Sequence, residues 1–288
     1  MENRNVLITG SNSFIGTYFK NNSTQSQVSE VNLIENQPSK IDFKKTEVVF
    51  HVAAIVHQDK SISDEIYFKI NSDLAFEVAQ KAKADGVKQF IFMSTVKVYG
   101  ENSTEQNPWK EDSPCFPSDA YGKSKLDAEK RLMKLNDENF TVSIIRTPVV
   151  YGVGVKGNIL KIARFVKTYK FIPFNGIYNK RAMVYIGNLV ALIQEVIYQN
   201  KSGIFLAGDG QILSTSEFVN NLVQATNEKK YFITFPLIFQ KMIKLIKPNL
   251  YNRLFGSMVI DNTRTFKELN FHPPFTPKQV LQDVMKSI

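Results

Sequence analysis

Val6-Leu7-Ile8-Thr9-Gly10-Ser11-Asn12-Ser13-Phe14-Ile15-Gly16 joins an apolar run to a glycine, a short polar turn and a second glycine. A short unbroken apolar run of this kind marks a strand buried on both faces of a parallel sheet. Gly10 permits a tight exit from the strand. Gly16 lets a helix expected over residues 14–20 pack close to the sheet. Free N–H groups at the start of that helix, together with its dipole, favour a pyrophosphate. The usual fingerprint has a further glycine inside the turn, where this chain has Ser13, a side chain small enough to let a phosphate approach. The stretch predicts a dinucleotide-binding turn, with a plain strand-to-helix turn as the alternative.

Outward from this turn, apolar strands and amphipathic helices alternate. Strands are expected over residues 28–34, 47–52, 89–94 and 140–146. Helices are expected over 66–84, with Ile66, Ile70, Leu74, Val78 and Ala82 on one face and Gly86 as stop signal, and over 121–136. The alternation predicts an α/β fold with a doubly wound parallel sheet, whose ligands sit at the carboxyl ends of the strands. Beyond residue 151 Pro173, Gly176, Gly187, Gly203, Gly208 and Gly210 interrupt the pattern. Residues 1–150 are therefore read as the dinucleotide domain. Residues 151–288 are read as a smaller C-terminal substrate-binding lobe, with some elements returning to the sheet. The residue closing the second strand selects the cofactor, since an acid there bonds the ribose 2′-hydroxyl and repels a 2′-phosphate. Asn32 is the candidate, with Glu35 the alternative if the strand runs longer. Asparagine supplies neither the carboxylate of NAD sites nor the arginine of NADP sites, so NAD(P)H is expected, leaning to NADPH.

The composition narrows the partners. Thirty-six lysines and arginines against 27 acids leave a formal charge of +9. The lysines are scattered and no nucleic-acid motif is present, so the excess suits an anionic small molecule such as a diphosphate and no nucleic acid is expected. The single cysteine, Cys115, fits a reducing compartment, and the polar N-terminus lacks a signal-peptide layout, so a cytoplasmic location is expected. No apolar run reaches the ~18 residues of a transmembrane segment. His51, His57 and His272 have no ligand spacing, and no metal site is expected. Lys241, Lys244 and Lys247 recur among Met242, Ile243, Leu245 and Ile246. They read as the solvated face of an ordinary amphipathic helix, or alternatively as a helix on anionic lipid.

Tyr121-Gly122-Lys123-Ser124-Lys125 puts a phenol and an ammonium at i and i+4 on one helix face. The ammonium is expected to lower the phenol's ordinary pKa of ~10, making Tyr121 an acid–base group for a sugar or steroid hydroxyl. Eleven tyrosines in a lysine-rich chain supply such a pair by chance, so its position is what counts: it opens a helix after a strand ending in Ser94-Thr95. The Thr95 hydroxyl could hold the reacting oxygen beside Tyr121.

These strings resemble the extended short-chain dehydrogenase/reductase family of nucleotide-sugar epimerases, dehydratases and reductases, also called the NAD-dependent epimerase/dehydratase family. The likeness runs through Gly10 to Gly16, His51-Val52-Ala53-Ala54, Asn71, Phe92-Met93-Ser94-Thr95-Val96-Lys97-Val98-Tyr99-Gly100 and the Tyr121 string. It continues through Arg146-Thr147-Pro148-Val149-Val150-Tyr151-Gly152, Gly157-Asn158, Arg181-Ala182-Met183-Val184-Tyr185-Ile186 and Gly256-Ser257-Met258-Val259-Ile260-Asp261. The resemblance implies a Rossmann-like domain with Tyr121, Lys125 and Thr95 catalytic. It implies cofactor contacts from Gly10, Ser13, Phe14, Ile15, Gly16, Asn32, Ala53, Ala54, Asn71, Ser94, Lys125, Pro148 and Val150. Thr95, Asn158 and Arg181 would meet a UDP-sugar, with Arg181 on a phosphate. A homodimer through the Tyr121 helix is implied by likeness alone. Within the family the chain looks most like bacterial capsular and O-antigen UDP-4-keto-6-deoxy-N-acetylhexosamine 4-reductases. The rival is a UDP-sugar 4-epimerase with bound NAD. A 4,6-dehydratase fits less well, because Val96-Lys97 follow Thr95 where those enzymes carry an Asp-Glu pair. A non-catalytic nucleotide-binding scaffold is the reading from another class. Ser13 for glycine, Glu47 for aspartate and Gly187-Asn188 for an acid are departures.

Overall fold

The computed structural model describes residues 4–24, 26–56 and 62–288, so His57 lies outside the described residues. Six strands form one parallel sheet in the order β2-β1-β3-β4-β5-β9. They are β1 (Arg4–Thr9), β2 (Ser26–Val31), β3 (Val48–His51), β4 (Gln89–Thr95), β5 (Thr141–Thr147) and β9 (Gly203–Leu206). The chain steps from β1 to β2 on one side and to β3 on the other, so the direction of winding reverses between β1 and β3. That reversal opens a crevice at the strands' carboxyl ends. The sheet is the expected Rossmann-like, doubly wound one.

Both faces are covered, as a parallel sheet requires. On one face α1 (Phe14–Asn22) and α6 (Ile186–Gln199) pack Phe19, Leu189 and Ile193 against Val6, Ile8, Phe50 and Ile145. On the other, α3 (Leu74–Ala84) and α4 (Ala120–Met133) pack Val78, Ala82, Ala128 and Leu132 against Val49, Phe90, Phe92 and Ile144. From the second half of the chain, β9 pairs with β5 and completes the sheet. A further apolar cluster joins α5 (Gly157–Thr168), α7 (Thr215–Thr226) and α11 (Pro277–Lys286) through Ala163, Phe218, Leu222 and Leu281. Beside them lie two small parallel pairs. One is β6 (Val149–Tyr151) with β8 (Met183–Tyr185); the other is β7 (Phe171–Asn175) with β10 (Tyr231–Thr234).

Two boundaries differ from expectation for local reasons. The second strand ends at Val31 because the Asn32 side chain accepts a hydrogen bond from Ile34 N at 3.0 Å and folds the chain into a turn. Leu33 and Ile34 had extended the apolar pattern, yet Ile34 is 95% exposed. The helix expected over 66–84 begins earlier as α2 (Asp64–Phe68), then widens into an i→i+5 turn over Lys69–Asp73 before α3. Such widened turns alter the direction of single side chains and recur at functional sites. Here the altered segment contains Asn71.

The Arg146 guanidinium at the end of β5 makes a buried ion pair with Glu129 of α4 at 2.6 Å, each side chain being 4% exposed. Arg146 also donates to Glu111 O and lies over the Tyr99 ring, while Glu129 accepts from Ser94. Removing one partner strands the other charge in the core. Arg146→Met is expected to cost about 3–5 kcal/mol of unfolding free energy, and the double variant Glu129→Leu/Arg146→Met distinctly less. Urea titration of wild type, the two single variants and the double variant checks this; additive losses would show that the two charges act independently.

Candidate active site

The phosphate turn is built against the loop that follows β3. Gly10 has φ +114°, and a Cβ there would lie 2.6 Å from Ala53 N, so the turn and Ala53-Ala54 are in direct contact. A side chain at position 10 is excluded on both counts. Asn12 takes the left-handed conformation at φ 59°. Ser13 is the N-cap of α1, and its hydroxyl accepts from Gly16 N at 3.0 Å. The hydroxyl is thus turned to the helix end, and the side chain remains small beside the turn. The cap uses one first-turn N–H, and those of Phe14 and Ile15 precede any intrahelical acceptor. This cradle fits a dinucleotide pyrophosphate. The side chains of Phe14 and Ile15 pack on the two apolar clusters flanking α1.

Asn71 is fully buried and acts as a clamp. Its Oδ1 accepts from Ile55 N at 2.8 Å, and its Nδ2 donates to Ile55 O at 3.1 Å and Ser124 Oγ at 3.0 Å. Both amide donors are thus committed to tying the Ala53-Ala54 loop to α4. Ser94, expected to face the cofactor, instead donates to Glu129, because successive side chains of β4 point to opposite faces. Asn32 lies just past β2 with its carboxamide oxygen in the turn to Ile34, and Glu35 stands exposed beyond it. Pro148 links β5 to β6, and Val150 of β6 is half-buried beside both apolar clusters.

Tyr121 and Lys125 lie in the first two turns of α4, which Asp119 caps by accepting from Gly122 N at 2.7 Å. Asp119 also pairs with Lys97, the residue two beyond Thr95. A Cβ at Gly122 would lie 2.9 Å from Lys97 O, so glycine there lets α4 close on the end of β4. Thr95 caps the short turn over Val96–Val98, accepting from Lys97 N at 3.2 Å, and its hydroxyl lies near enough to the Tyr121 phenol to favour the phenolate. The structure thus brings Thr95 and Tyr121 together.

The electrostatics differ from the sequence reading. Burial pushes the Tyr121 phenol up to about 12; the Thr95 hydrogen bond opposes this and Asp119 adds to it. The expected lowering by Lys125 is absent because the ammonium is directed elsewhere. Lys125 Nζ donates to Met93 O at 2.7 Å and sits 4.2 Å from the centre of the Phe92 ring. Burial brings its pKa down to about 7, with Glu129 opposing. Beneath it, His51 stacks against Phe90 and Phe92 and shares a 2.8 Å hydrogen bond with Thr9 Oγ1. Burial first, and then the Lys125 charge, hold His51 at about 3, so the imidazole is neutral at any physiological pH.

The two expected substrate residues lie apart from this group in the second half of the chain. Asn158 is exposed at the second position of α5. Arg181 donates from Nη1 to Asn252 O and Gly256 O, both at 3.1 Å, at the end of a helix over Pro248–Phe255. Burial, and then the neighbouring Arg253, lower its pKa. Arg253, which the sequence reading did not single out, places a second positive charge beside Arg181. Asp209 was missed too. It accepts from Tyr151 OH, Tyr185 N and Asn188 Nδ2 at 2.7–2.8 Å. The amide at Asn188, where an acid is common, is therefore the donor that this buried carboxylate requires.

The sequence profile of the NAD dependent epimerase/dehydratase family matches residues 6–208. A UDP-glucose 4-epimerase of Vibrio cholerae is 33% identical over 313 aligned positions, covering 98% of this chain and 94% of that protein. An N-acetyl-alpha-D-glucosaminyl-diphospho-ditrans,octacis-undecaprenol 4-epimerase of Escherichia coli O157:H7 is 27% identical, covering 79% of this chain and 74% of that one. Among solved structures, a dTDP-4-dehydrorhamnose reductase from Clostridium acetobutylicum superposes with a TM-score of 0.76 at 19% identity, covering 98% of each chain. This last likeness speaks for the fold.

The buried ammonium has a pH signature. Between about 7 and the ordinary lysine value of 10.5, the unfolded chain holds a proton on Lys125 that the folded chain lacks, so stability rises with pH across that window. Below it both states hold the proton and the whole penalty is present. Lys125→Met is expected to gain on the order of a few kcal/mol over wild type at pH 6, the gain shrinking towards pH 10. Denaturation of both proteins at several pH values checks this, and a pH-independent difference would count against it.

Proposed function

The chain belongs to the NAD dependent epimerase/dehydratase family, and from that premise we propose that it reduces the 4-keto group of a UDP-linked 6-deoxy-N-acetylhexosamine with NAD(P)H. The observation that carries this reading is the placement of Tyr121 at the start of α4 beside Thr95 at the end of β4, with burial favouring the protonated phenol. Reduction of a ketone needs a proton at oxygen as hydride reaches carbon, and a protonated phenol is the form that gives it. When bound, the nicotinamide supplies the hydride.

In this proposal Thr95 and Tyr121 share the carbonyl oxygen, Thr95 orienting it and Tyr121 protonating it. Lys125, with one donor on Met93 O, would offer its remaining N–H groups to a cofactor ribose hydroxyl. The N–H groups of Phe14 and Ile15 take the pyrophosphate, with Gly10 and Gly16 allowing the close approach. Ala53, Ala54, Pro148 and Val150 wall the cofactor. Asn71 acts as a positioning residue through its hydrogen bonds to Ile55. Asn32 carries no charge to repel a 2′-phosphate, which supports NADPH. Arg181, joined by Arg253, takes the substrate diphosphate, and Asn158 meets its nucleotide end. A lone cysteine and a demand for reduced nicotinamide support a cytoplasmic reaction. Capsule or O-antigen precursor synthesis is the setting we infer.

A second reading is favoured by the Vibrio cholerae relative, whose name is UDP-glucose 4-epimerase. The same residues would serve, with hydride returned to the opposite face of the sugar and the cofactor retained.

Purified protein mixed with NADPH or NADH and UDP-4-keto-6-deoxy-N-acetylglucosamine is expected to consume reduced nicotinamide one-for-one with the keto sugar. Interconversion of UDP-N-acetylhexosamines or UDP-hexoses with no net change in cofactor would replace the reductase reading with the epimerase one. Tyr121→Phe is expected to lower kcat by about 10²–10⁴-fold while leaving cofactor affinity, read by nicotinamide fluorescence, within about threefold.

A further inference from the structure

Residues 229–260 carry Lys229, Lys230, Lys241, Lys244, Lys247 and Arg253 and not one aspartate or glutamate. Within this stretch lies α8 (Leu237–Ile246), followed after Lys247 by α9 (Pro248–Phe255). Pro248 separates the two, since proline cannot continue the first helix but suits the first position of the second.

An amphipathic helix of a globular protein turns its apolar stripe to the core. Here α8 does the reverse and has no buried residue. Ile238, Phe239, Met242, Leu245 and Ile246 share one face at helical spacing, and their exposures are 67%, 52%, 48%, 86% and 66%. The side towards the body is carried by half-buried Ile243 and by Gln240, whose Nε2 donates to Phe235 O at 3.2 Å. Lys241 and Lys244 are exposed and border the apolar face, with Lys247 at the helix end. Lys244 also lies 5.5 Å from the Tyr251 ring centre, pinning α8 to α9. The pair is fastened to the body at its far end, where Leu254 O and Gly256 O accept from Asn179 and Asn252 O accepts from Arg181. The sequence reading of an ordinary helix with only its polar face in solvent is therefore replaced.

We propose that α8 docks the protein on the surface of an anionic lipid bilayer, its apolar face entering the headgroup boundary and Lys241, Lys244 and Lys247 meeting lipid phosphates. Three observations select this occupant. The stretch over residues 229–260 is cationic and contains no acid, which matches an anionic leaflet. Lysine is depleted from protein–protein interfaces, and a two-fold contact with a second copy would set these lysines against one another. Ten residues of helix are far too short to span a bilayer, and among the described residues no helix is long and apolar enough to do so, so the helix lies in the interface plane.

The test sediments the full chain with phosphatidylcholine vesicles, with and without phosphatidylglycerol. Wild type is expected to pellet about tenfold more with phosphatidylglycerol present, and less as salt rises. Ile238→Glu/Leu245→Glu and, separately, Lys241→Gln/Lys244→Gln/Lys247→Gln are expected to remain in the supernatant, the first with an unchanged melting temperature because Ile238 and Leu245 are solvent-facing. The proposal is overturned if wild type stays in the supernatant with phosphatidylglycerol vesicles, or if both variants pellet as wild type does. It is equally overturned if light scattering without lipid shows an assembly that the Ile238→Glu/Leu245→Glu variant loses, since a second copy then covers the face.

Discussion

The placement of α4 against the end of β4 is the constraint on which the candidate site depends. Three anchors along one helix fix it. At the N-terminus, Asp119 caps the helix and pairs with Lys97, while Gly122 admits Lys97 O at a distance no side chain allows. Midway, Lys125 Nζ is bonded to Met93 O. At the far end, Glu129 meets Arg146 and Ser94 in a site almost closed to water. A helix held at one end could pivot by the ångström that separates a closely placed Tyr121–Thr95 pair from two unrelated hydroxyls. Anchors at three heights remove that freedom, and misplacement on this scale is costly in catalysis.

The same anchors set the charge state of the site. Lys125 is drawn to a backbone carbonyl under an aromatic ring, where desolvation outweighs the attraction of Glu129. Glu129 is meanwhile engaged by Arg146 in a bidentate contact, so its charge is largely answered there. His51 stays neutral below Lys125, and its Nε2 has no hydrogen-bond partner among the described residues. A neutral imidazole in that layer avoids a second positive charge beneath the ammonium. The buried polar groups of the crevice thus form a ladder in which each group's charge depends on its neighbour's.

The sequence carried the fold because both of its signals are local. Strand runs such as Val6-Leu7-Ile8 and the glycine at position 10 constrain the backbone wherever they occur, and the contact with Ala53 follows from the turn. It also placed Thr95 and Tyr121 on one sheet edge, since a strand end and a helix start there are brought near one another by the winding. What it did not carry was set by distant partners. Ser94 and Thr95 are adjacent hydroxyls, and only the pleat, with Glu129 waiting on one side, decides which faces the crevice. Asn71 reads as a polar helix residue until the widened turn directs it at Ile55. The phenol's acidity was misjudged because i,i+4 spacing puts Lys125 on the right face but does not say that Met93 O captures its ammonium. The apolar stripe of α8 looks identical in sequence whether it is buried or bare.

Under the proposed reduction, the electrostatics of the crevice bear on cofactor exchange. A reductase must release oxidised nicotinamide each cycle, whereas an epimerase must keep it. Oxidation places a positive charge on the ring, and Lys125, when protonated, adds a like charge that disfavours the oxidised form relative to the neutral reduced one. At the end of β2 the residue is Asn32, whose amide oxygen is committed to Ile34, with Glu35 exposed beyond it. The helix-end cap at Ser13 leaves the pyrophosphate to backbone N–H groups alone. Under that proposal the Lys125 charge would favour release of the oxidised cofactor, as a site that exchanges cofactor on every turnover requires.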